Sequence, residues 1–185
     1  DSCDGANARA DEMEQALEIV RTAVEGEERP TVLYLLGGEF TAGDGTFINS
    51  VIETAGGTNI AAETGIESYA QISREIVANE SPEYIVVSNE APQVVPNVPA
   101  YNNTYAVQND QIITVNANYL TQPAPRATQV VEDFASEWHP EAYESAASSL
   151  SEDTTATTTA TDAPGFGMSG ALLALVGALF LSRRD

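Results

Sequence analysis

The chain of 185 residues can form one domain with a substantial core, and it carries 28 acidic against 7 basic side chains, for a formal charge of −21. Such a surface repels nucleic acid and anionic lipid headgroups, so both are excluded as partners of the folded part. Dense acidity is typical of disordered chains or of proteins adapted to concentrated salt, where screening shortens to ~3 Å at 1 M. A hydrophobic content of 43% favours the second interpretation and predicts a salt-loving source.

The first predicted element is an amphipathic helix within residues 1–28, capped by Asp4 and ended by Gly26. Its apolar positions recur at spacings of three and four, namely Ala10, Met13, Leu17, Val20 and Val24. Residues 32–36 follow and are continuously apolar, which predicts a strand covered on both faces.

The next segments alternate between helix and strand signals. A helix is predicted to open at Thr46 and to end at the glycine pair 56–57. Ser73 is the expected N-cap of a helix over residues 74–80, and residues 84–88 form a second buried strand.

The third part begins with a loop rich in proline and asparagine, residues 92–103. Two short apolar runs, 105–107 and 112–115, flank a polar turn and predict a β-hairpin. The last helix of the folded part follows Pro125, with Val130, Val131, Phe134 and Trp138 facing inward. This alternation of strands and helices predicts an α/β sandwich.

Composition changes abruptly beyond residue 143. Residues 144–163 are mostly Ser, Thr, Ala and acid, which predicts a disordered stalk suited to O-glycans. Residues 164–185 begin with Pro-Gly-Phe and continue into an apolar run of 14 residues that ends before two arginines. A spanning helix usually needs ~20 residues, so the run is marginal as the transmembrane helix that we predict here, and its terminal arginines suit the cytoplasmic side. The alternative is a terminal helix buried in the protein.

The chain has a single cysteine, Cys3, and a single histidine, His139, which limits the catalytic and metal-binding chemistry that it can perform. They cannot build a disulfide framework or a tetrahedral metal site, and no serine has a histidine base in a recognisable motif. We therefore predict a non-enzyme without catalytic residues, metal or cofactor, in which His139 has a structural role. The chain also begins without a methionine, and we expect further sequence before Asp1.

Several stretches together resemble the cobalamin- and iron-siderophore-binding proteins of ABC importers. The quoted segments are Gly56-Gly57-Thr58-Asn59-Ile60-Ala61, Tyr69 to Val77, Ser81 to Val87, Phe40-Thr41-Ala42-Gly43, Thr46-Phe47-Ile48, Pro125-Arg126 and His139-Pro140-Glu141. The resemblance covers roughly residues 5–143. It implies two α/β lobes joined by a rigid helix, with ligand in the cleft between them.

On this resemblance, residues 1–28 are the interlobe backbone helix and residues 29–143 are the carboxyl-terminal lobe, a three-layer α/β unit. The implied function is an extracytoplasmic solute-binding component that delivers cobalamin or an iron-siderophore or haem-type chelate to an ABC permease. The alternative is a structural or adhesive module at the cell surface, which uses the same lobe without transport.

The resemblance also implies roles for individual residues. Tyr69 aligns with an aromatic that lines the ligand cleft, and Phe40 and Gly43 lie in a cleft-side loop. Arg126 is expected to meet an anionic group of the ligand or to bridge neighbouring carboxylates. Glu75 matches the glutamate that docks on the permease. The alternatives are ordinary packing for Tyr69 and helix stabilisation for Glu75.

The tail resembles the archaeal Pro-Gly-Phe carboxyl-terminal sorting signal, which implies cleavage by an archaeosortase-type enzyme and a membrane lipid anchor on the extracellular face. Asn79 and Asn102 begin N-glycosylation sequons, and Asn102 is the better candidate because its loop is expected to be exposed.

Overall fold

The computed structural model describes residues 2–89, 95–120 and 125–157. In chain order the elements are α1 (Ser2–Val24), β1 (Thr31–Leu35), β2 (Phe40–Ala42), α2 (Phe47–Thr54), β3 (Thr58–Asn59), α3 (Ile60–Glu63), β4 (Tyr69–Gln71), α4 (Arg74–Glu80), β5 (Tyr84–Ser88), α5 (Pro99–Asn102), α6 (Tyr105–Gln108), β6 (Ile112–Val115), α7 (Ala117–Leu120), α8 (Pro125–Trp138) and α9 (Pro140–Thr157).

Four parallel strands form the central sheet in the order β3-β1-β5-β6. The register places Leu33 opposite Ile85 and Val86 opposite Ile113. The inner strands β1 and β5 are buried from their second residue onward, which explains their continuous apolar runs. The two strands predicted from these runs are confirmed, β5 at the predicted residues and β1 one residue earlier.

Helices cover both faces of the sheet and create two cores. On one face, α1, α2 and α8 bury Val20, Ile52 and Phe134. On the other face, Ile60 and Val77 pack with the apolar residues of β1 and β5. The result is the three-layer α/β arrangement expected from the alternation of elements.

Local capping explains where two of the helices begin. The Ser73 hydroxyl accepts a hydrogen bond from the backbone N–H of Ile76 at 3.2 Å, so the predicted start of α4 is confirmed. Thr46 caps α2 in the same way. The expected cap at Asp4 is wrong, because α1 already begins at Ser2. Alanines at positions 6 and 8 have the highest helix propensity and favour a helix that extends ahead of the apolar stripe.

The predicted β-hairpin is wrong. Residues 105–108 form α6, and β6 pairs in parallel with β5, so α5 and α6 belong to a crossover connection. The Thr104 hydroxyl caps α6, and the N–H of Ala106 donates to the Pro82 carbonyl at 3.0 Å. These bonds favour a helical turn over a strand that would have no neighbour to pair with.

The carboxyl-terminal part differs from the predicted stalk. Residues 144–157 continue α9, which packs against α1 and α8. Ala146 is buried, and Tyr143 packs against the core on the α1 side. Within residues 2–89, 95–120 and 125–157, no helix is long and apolar enough to cross a membrane. The predicted apolar run, the Pro-Gly-Phe motif and residues 158–163 lie outside the described residues.

Candidate functional site at the carboxyl edge of the sheet

The strand order contains one topological switch point. The chain leaves β1 for β3 on one side, then returns across β1 to β5 and continues to β6. The two central strands, β1 and β5, are therefore followed in the chain by strands on opposite sides of the sheet. Ligands of open α/β sheets bind in the crevice at this position.

A two-stranded antiparallel ribbon, formed by β2 and β4, emerges at this edge directly after β1. The register pairs Phe40 with Gln71 and Ala42 with Tyr69. Residues two apart on a strand share a face, so Phe40 and Tyr69 are diagonal neighbours on one face, ~7–8 Å apart between backbones. Their side chains are 42% and 47% exposed. We call this feature the aromatic ribbon.

Buried polar contacts fix the base of the aromatic ribbon. The Asn59 side-chain amide donates to the Ala42 carbonyl and to the Asn49 side-chain oxygen, both at 2.9 Å. The Thr41 hydroxyl donates to the Tyr34 carbonyl at 2.6 Å and ties the ribbon to β1. The side chains that make these bonds are all buried, namely Thr41, Asn49 and Asn59. Their hydrogen bonds are therefore shielded from competing water.

Gly43 closes the ribbon base through a close backbone approach. The residue is buried, and a Cβ added to it would lie 1.9 Å from the Ile66 carbonyl oxygen. Its N–H donates to the Ser68 carbonyl at 2.7 Å. Gly43 therefore positions the ribbon from below, whereas Phe40 and Tyr69 present their rings to solvent.

Glu75 lies at the same edge as the aromatic ribbon. It occupies the first turn of α4 and is exposed. A helix that connects parallel strands runs opposite to them, so its first turn lies where the strands end. The neighbouring Arg74 forms an ion pair with Glu39, which directly precedes Phe40. That hydrogen bond and charge raise the pKa of Arg74.

Tyr101 is buried close enough to this ion pair to feel both of its charges. Its side chain is fully buried, and its hydroxyl has no hydrogen-bond partner among the described residues. Burial, followed by the charge of Glu39, raises the pKa of Tyr101 to about 12, while Arg74 opposes the shift. The phenol is therefore neutral at physiological pH.

Arg126 lies at the carboxyl edge but apart from the aromatic ribbon. It is the second residue of α8, and its guanidinium carbon is 5.8 Å from the centre of the Tyr119 ring. Both residues line a groove of about 950 Å³ that Arg9 and Glu12 of α1 border. Tyr119 follows β6, whereas the aromatic ribbon follows β1. Strand β5 lies between β6 and β1, so these two strands are ~10 Å apart across the sheet.

The remaining predicted residues lie away from these features. Asn79 is exposed in the last turn of α4. Asn102 is exposed at the end of α5, a helix where the sequence predicted a loop, and its amide donates to the Asn97 side chain at 2.8 Å. His139 is buried, with Nε2 3.3 Å from the Gly56 carbonyl oxygen, as its predicted structural role requires.

Two residues of the edge were missed by sequence reasoning, Glu39 and Tyr119. Glu39 is paired with Arg74, which is distant in the chain, and Tyr119 contacts Arg126 across a loop. No local spacing signals such a pair. In the described ranges, no cluster of three or more His, Cys, Asp or Glu residues could hold a metal ion.

The lobe is a parallel three-layer α/β unit with two exposed aromatic rings near its switch point. The sequence pattern of the periplasmic binding protein family matches residues 1–119. The chain belongs to this family.

Two curated relatives are similar to this chain in sequence. A cobalamin-binding protein of Halobacterium salinarum is 35% identical, with 99% of this chain and 54% of the relative covered. A vitamin B12-binding protein of Vibrio cholerae is 31% identical, over 66% of this chain and 45% of the relative. The chain spans about half the length of these relatives.

Solved structures share the fold. The periplasmic haem-binding protein RhuT from Roseiflexus sp. RS-1 superposes with a TM-score of 0.63 at 27% identity, covering 76% of this chain and 56% of that protein. CeuE from Helicobacter pylori, solved with Ni(II) bound, has a TM-score of 0.65 at 21% identity, covering 76% and 47%. At that identity, the second similarity concerns the fold alone.

Proposed function

We propose that this chain is the carboxyl-terminal lobe of an extracytoplasmic solute-binding protein, which binds cobalamin or an iron-siderophore or haem-type chelate and delivers it to an ABC permease. The observation that carries the proposal is the aromatic ribbon at the switch point of the sheet. A first lobe would supply the opposite wall of the cleft, because the chain covers about half of its relatives.

The chemistry of the ribbon fits a large, flat, partly apolar ligand. Phe40 and Tyr69 both expose more than two fifths of their surface on one face of a rigid support. Aromatic rings bury 150–250 Å² each and stack well on planar ring systems. Arg126 supplies a cation at the same edge for an anionic ligand group, and the ring of Tyr119 holds it in place. Relatives named for cobalamin, vitamin B12 and haem point to the same ligand class.

Delivery requires a docking residue, which we assign to Glu75. Glu75 is exposed in the first turn of α4, and the ion pair between Arg74 and Glu39 links that turn to the residue before Phe40. A permease arginine could meet the carboxylate in a charge-assisted contact. Ligand and permease would then approach the same end of the lobe.

The tail completes the proposal at the cell surface. We assign the Pro164-Gly165-Phe166 motif and the apolar run after it to an archaeosortase-type signal, exchanged for a membrane lipid anchor. Asn102 and, secondarily, Asn79 are the proposed glycosylation sites. Intact-mass analysis of protein purified from its own cells tests the processing, and a carboxyl terminus at Asp185 would contradict it.

Ligand binding is tested with the full-length protein that contains both lobes. Calorimetric titration with cyanocobalamin, haemin and a ferric hydroxamate siderophore identifies the ligand class. Phe40→Ala and Tyr69→Ala should each weaken binding by about tenfold, or ~1.4 kcal/mol, because each removes a stacking face.

The control is Ile112→Ala, which removes a comparably exposed apolar side chain at the opposite end of the sheet and should leave affinity unchanged. If none of the three ligands binds, the solute-binding proposal fails. A structural or adhesive surface module would then be the better description.

A further inference from the structure

The aromatic ribbon has a second attachment to the lobe, at the end that carries Phe40. A tight turn, residues 36–39, leads there from β1 into β2, and the Leu36 N–H donates to the Phe40 carbonyl at 2.9 Å. Glu39 is the last residue of this turn, and its carbonyl accepts a hydrogen bond from the Ile72 N–H at 2.9 Å. The ribbon ladder therefore extends one step beyond the pair of Phe40 and Gln71, and Glu39 belongs to it.

The side chain of Glu39 pairs with the first residue of α4. Its carboxylate accepts a hydrogen bond from the Arg74 guanidinium and forms an ion pair with it. The Glu39 side chain is 26% exposed and that of Arg74 is 60% exposed, so the carboxylate is the more buried partner. The Ser73 hydroxyl caps α4, which fixes the backbone that carries the guanidinium. One ion pair therefore connects the residue before Phe40 with the residue before Glu75.

The surroundings of the ion pair determine how strong it is. Tyr101 is fully buried in the core on this face of the sheet, and the charges of both Glu39 and Arg74 act on its hydroxyl. The pair is therefore close to a region where charges are screened less than in water. Because Arg74 itself is mostly exposed, we expect an effect of about threefold to fivefold rather than orders of magnitude.

The two strands of the ribbon are joined to α4 in different ways. β4 runs directly into α4 through residues 72–73 of the chain, whereas the ion pair of Glu39 joins β2 to the same helix. We propose that Glu39 is a positioning residue, which through Arg74 holds Phe40 and the first turn of α4 in one fixed arrangement. The inference rests on the proposed function, in which Phe40 contacts the ligand and Glu75 contacts the permease.

A ligand-free experiment tests the positioning directly. Hydrogen exchange of the 185-residue chain is followed by NMR at the Ile72 amide, which bonds to the Glu39 carbonyl. Glu39→Gln keeps the size of the side chain and removes its charge. It should speed exchange of this amide by about threefold, because the last step of the ladder opens more often. Arg74→Gln should give the same change, and the double variant should add nothing further, because both remove one interaction.

Arg21→Gln is the matched control. It breaks the ion pair between Arg21 and Glu18 on α1, whose side chains are 72% and 52% exposed, and it changes the net charge as Arg74→Gln does. It should leave exchange of the Ile72 amide unchanged. The reversed pair, Glu39→Arg combined with Arg74→Glu, should restore slow exchange, because the attraction is formed again with opposite polarity.

The two-lobe protein separates Glu39 from the residues that make the contacts. Phe40→Ala should weaken ligand binding alone, and Glu75→Ala should impair uptake alone. Glu39→Gln should do both, with an affinity about threefold to fivefold lower in calorimetric titration and slower uptake in vesicles at saturating ligand. The reversed pair should recover both properties, whereas Arg21→Gln should change neither of them.

The proposal is overturned if Glu39→Gln leaves the exchange of the Ile72 amide at its wild-type rate. An equal change in Arg21→Gln would also overturn it, since the effect would then follow from net charge. So would failure of the reversed pair to restore slow exchange, because the two charges would then not act on each other. If the wild type binds none of the three ligands, the proposed function fails, whereas the exchange measurement still decides whether Glu39 positions the ribbon.

Discussion

At the residue scale, Tyr101 and Glu75 near the carboxyl edge differ in burial. The hydroxyl of Tyr101 is buried and has no hydrogen-bond partner among the described residues. Glu75 is the opposite case, an exposed charge with no packing role in the described core. The two residues lie near the same ion pair and make different predictions.

Tyr101→Phe should be neutral or slightly stabilising at pH 7, because it removes a buried hydroxyl whose desolvation costs ~1–3 kcal/mol without a compensating bond. The raised pKa also predicts a pH dependence. The folded state holds the proton to about pH 12, whereas an unfolded tyrosine loses it near its ordinary value of 10.0. Stability is therefore full below pH 10 and declines as the pH rises towards 12.

Urea unfolding between pH 7 and pH 12 measures this decline, which should be shallower in Tyr101→Phe than in wild type. Burial also raises the pKa of Tyr84 and Tyr143, so part of the decline remains in the variant. Tyr143→Phe serves as the comparison, because the Tyr143 hydroxyl donates to Glu132 at 3.3 Å and its loss should destabilise the protein. A clear loss of stability in Tyr101→Phe at pH 7 would contradict the assignment.

Glu75→Ala should impair uptake while leaving ligand affinity intact. Removal of one partner from a buried interfacial charge pair costs ~2–5 kcal/mol, because the other charge stays unpaired. A glutamate that only stabilises its helix would cost under ~1 kcal/mol of folding stability and nothing in transport. Titration of the two-lobe protein measures affinity, and reconstituted vesicles at working salt measure uptake.

Glu80→Ala is the matched control for Glu75→Ala, because Glu80 is an exposed carboxylate at the other end of α4. Unchanged uptake in Glu75→Ala would leave only the helix-stabilising role. Equal losses of binding and uptake would instead place Glu75 in the ligand cleft.

At the element scale, the aromatic ribbon depends on contacts between segments distant in the chain. β2 pairs with β4 across α2, β3 and α3, and Asn59 ties the end of β2 to its neighbours. The ribbon is therefore positioned by the rest of the lobe. A change at its base should alter ligand binding without touching either ring.

Gly43→Ala tests this dependence. Its added Cβ would meet the Ile66 carbonyl at 1.9 Å, and a backbone atom cannot move aside as a flexible side chain can. Overpacking of this kind costs ~1–3 kcal/mol of folding stability, and we expect weaker ligand binding as the ribbon shifts. Gly45→Asn is the control, since its site is open and asparagine tolerates a φ of +72°. Normal affinity and stability in Gly43→Ala would refute the role of the ribbon base.

At the scale of the whole molecule, charge dominates. The chain carries 28 acidic residues and no lysine, and several of its acids are exposed along one helix and the loop after it, including Glu14, Glu25 and Glu27. Mutual repulsion of these groups destabilises the compact state and is screened by salt.

The folding of the chain should therefore depend on salt. Thermal unfolding followed from low to multimolar KCl should show a midpoint that rises with salt. A variant in which Glu14, Glu25 and Glu27 are replaced by glutamine should need less salt to reach the same midpoint. A midpoint that stays flat across the range would rule out adaptation to concentrated salt.

The sequence by itself determined the elements whose signals are local. Continuous apolar runs defined β1 and β5, and Ser73 defined the start of α4, because burial on both faces and a side-chain cap each leave a pattern within a few residues. The resemblance to a known family added two further predictions. These were the architecture of the lobe and the choice of Phe40, Tyr69 and Glu75 as candidate site residues.

Only the tertiary structure decided the rest. Residues 105–107 are apolar enough for a strand, yet they form α6, because β6 takes the position beside β5. The helix α9 extends into a segment of stalk-like composition because α1 and α8 give it a surface to pack on. A cavity at the amino edge of the sheet is lined by residues as distant in the chain as Glu28, Glu83 and Trp138. Such features depend on long-range contacts, whose energy is not encoded in any short window of sequence.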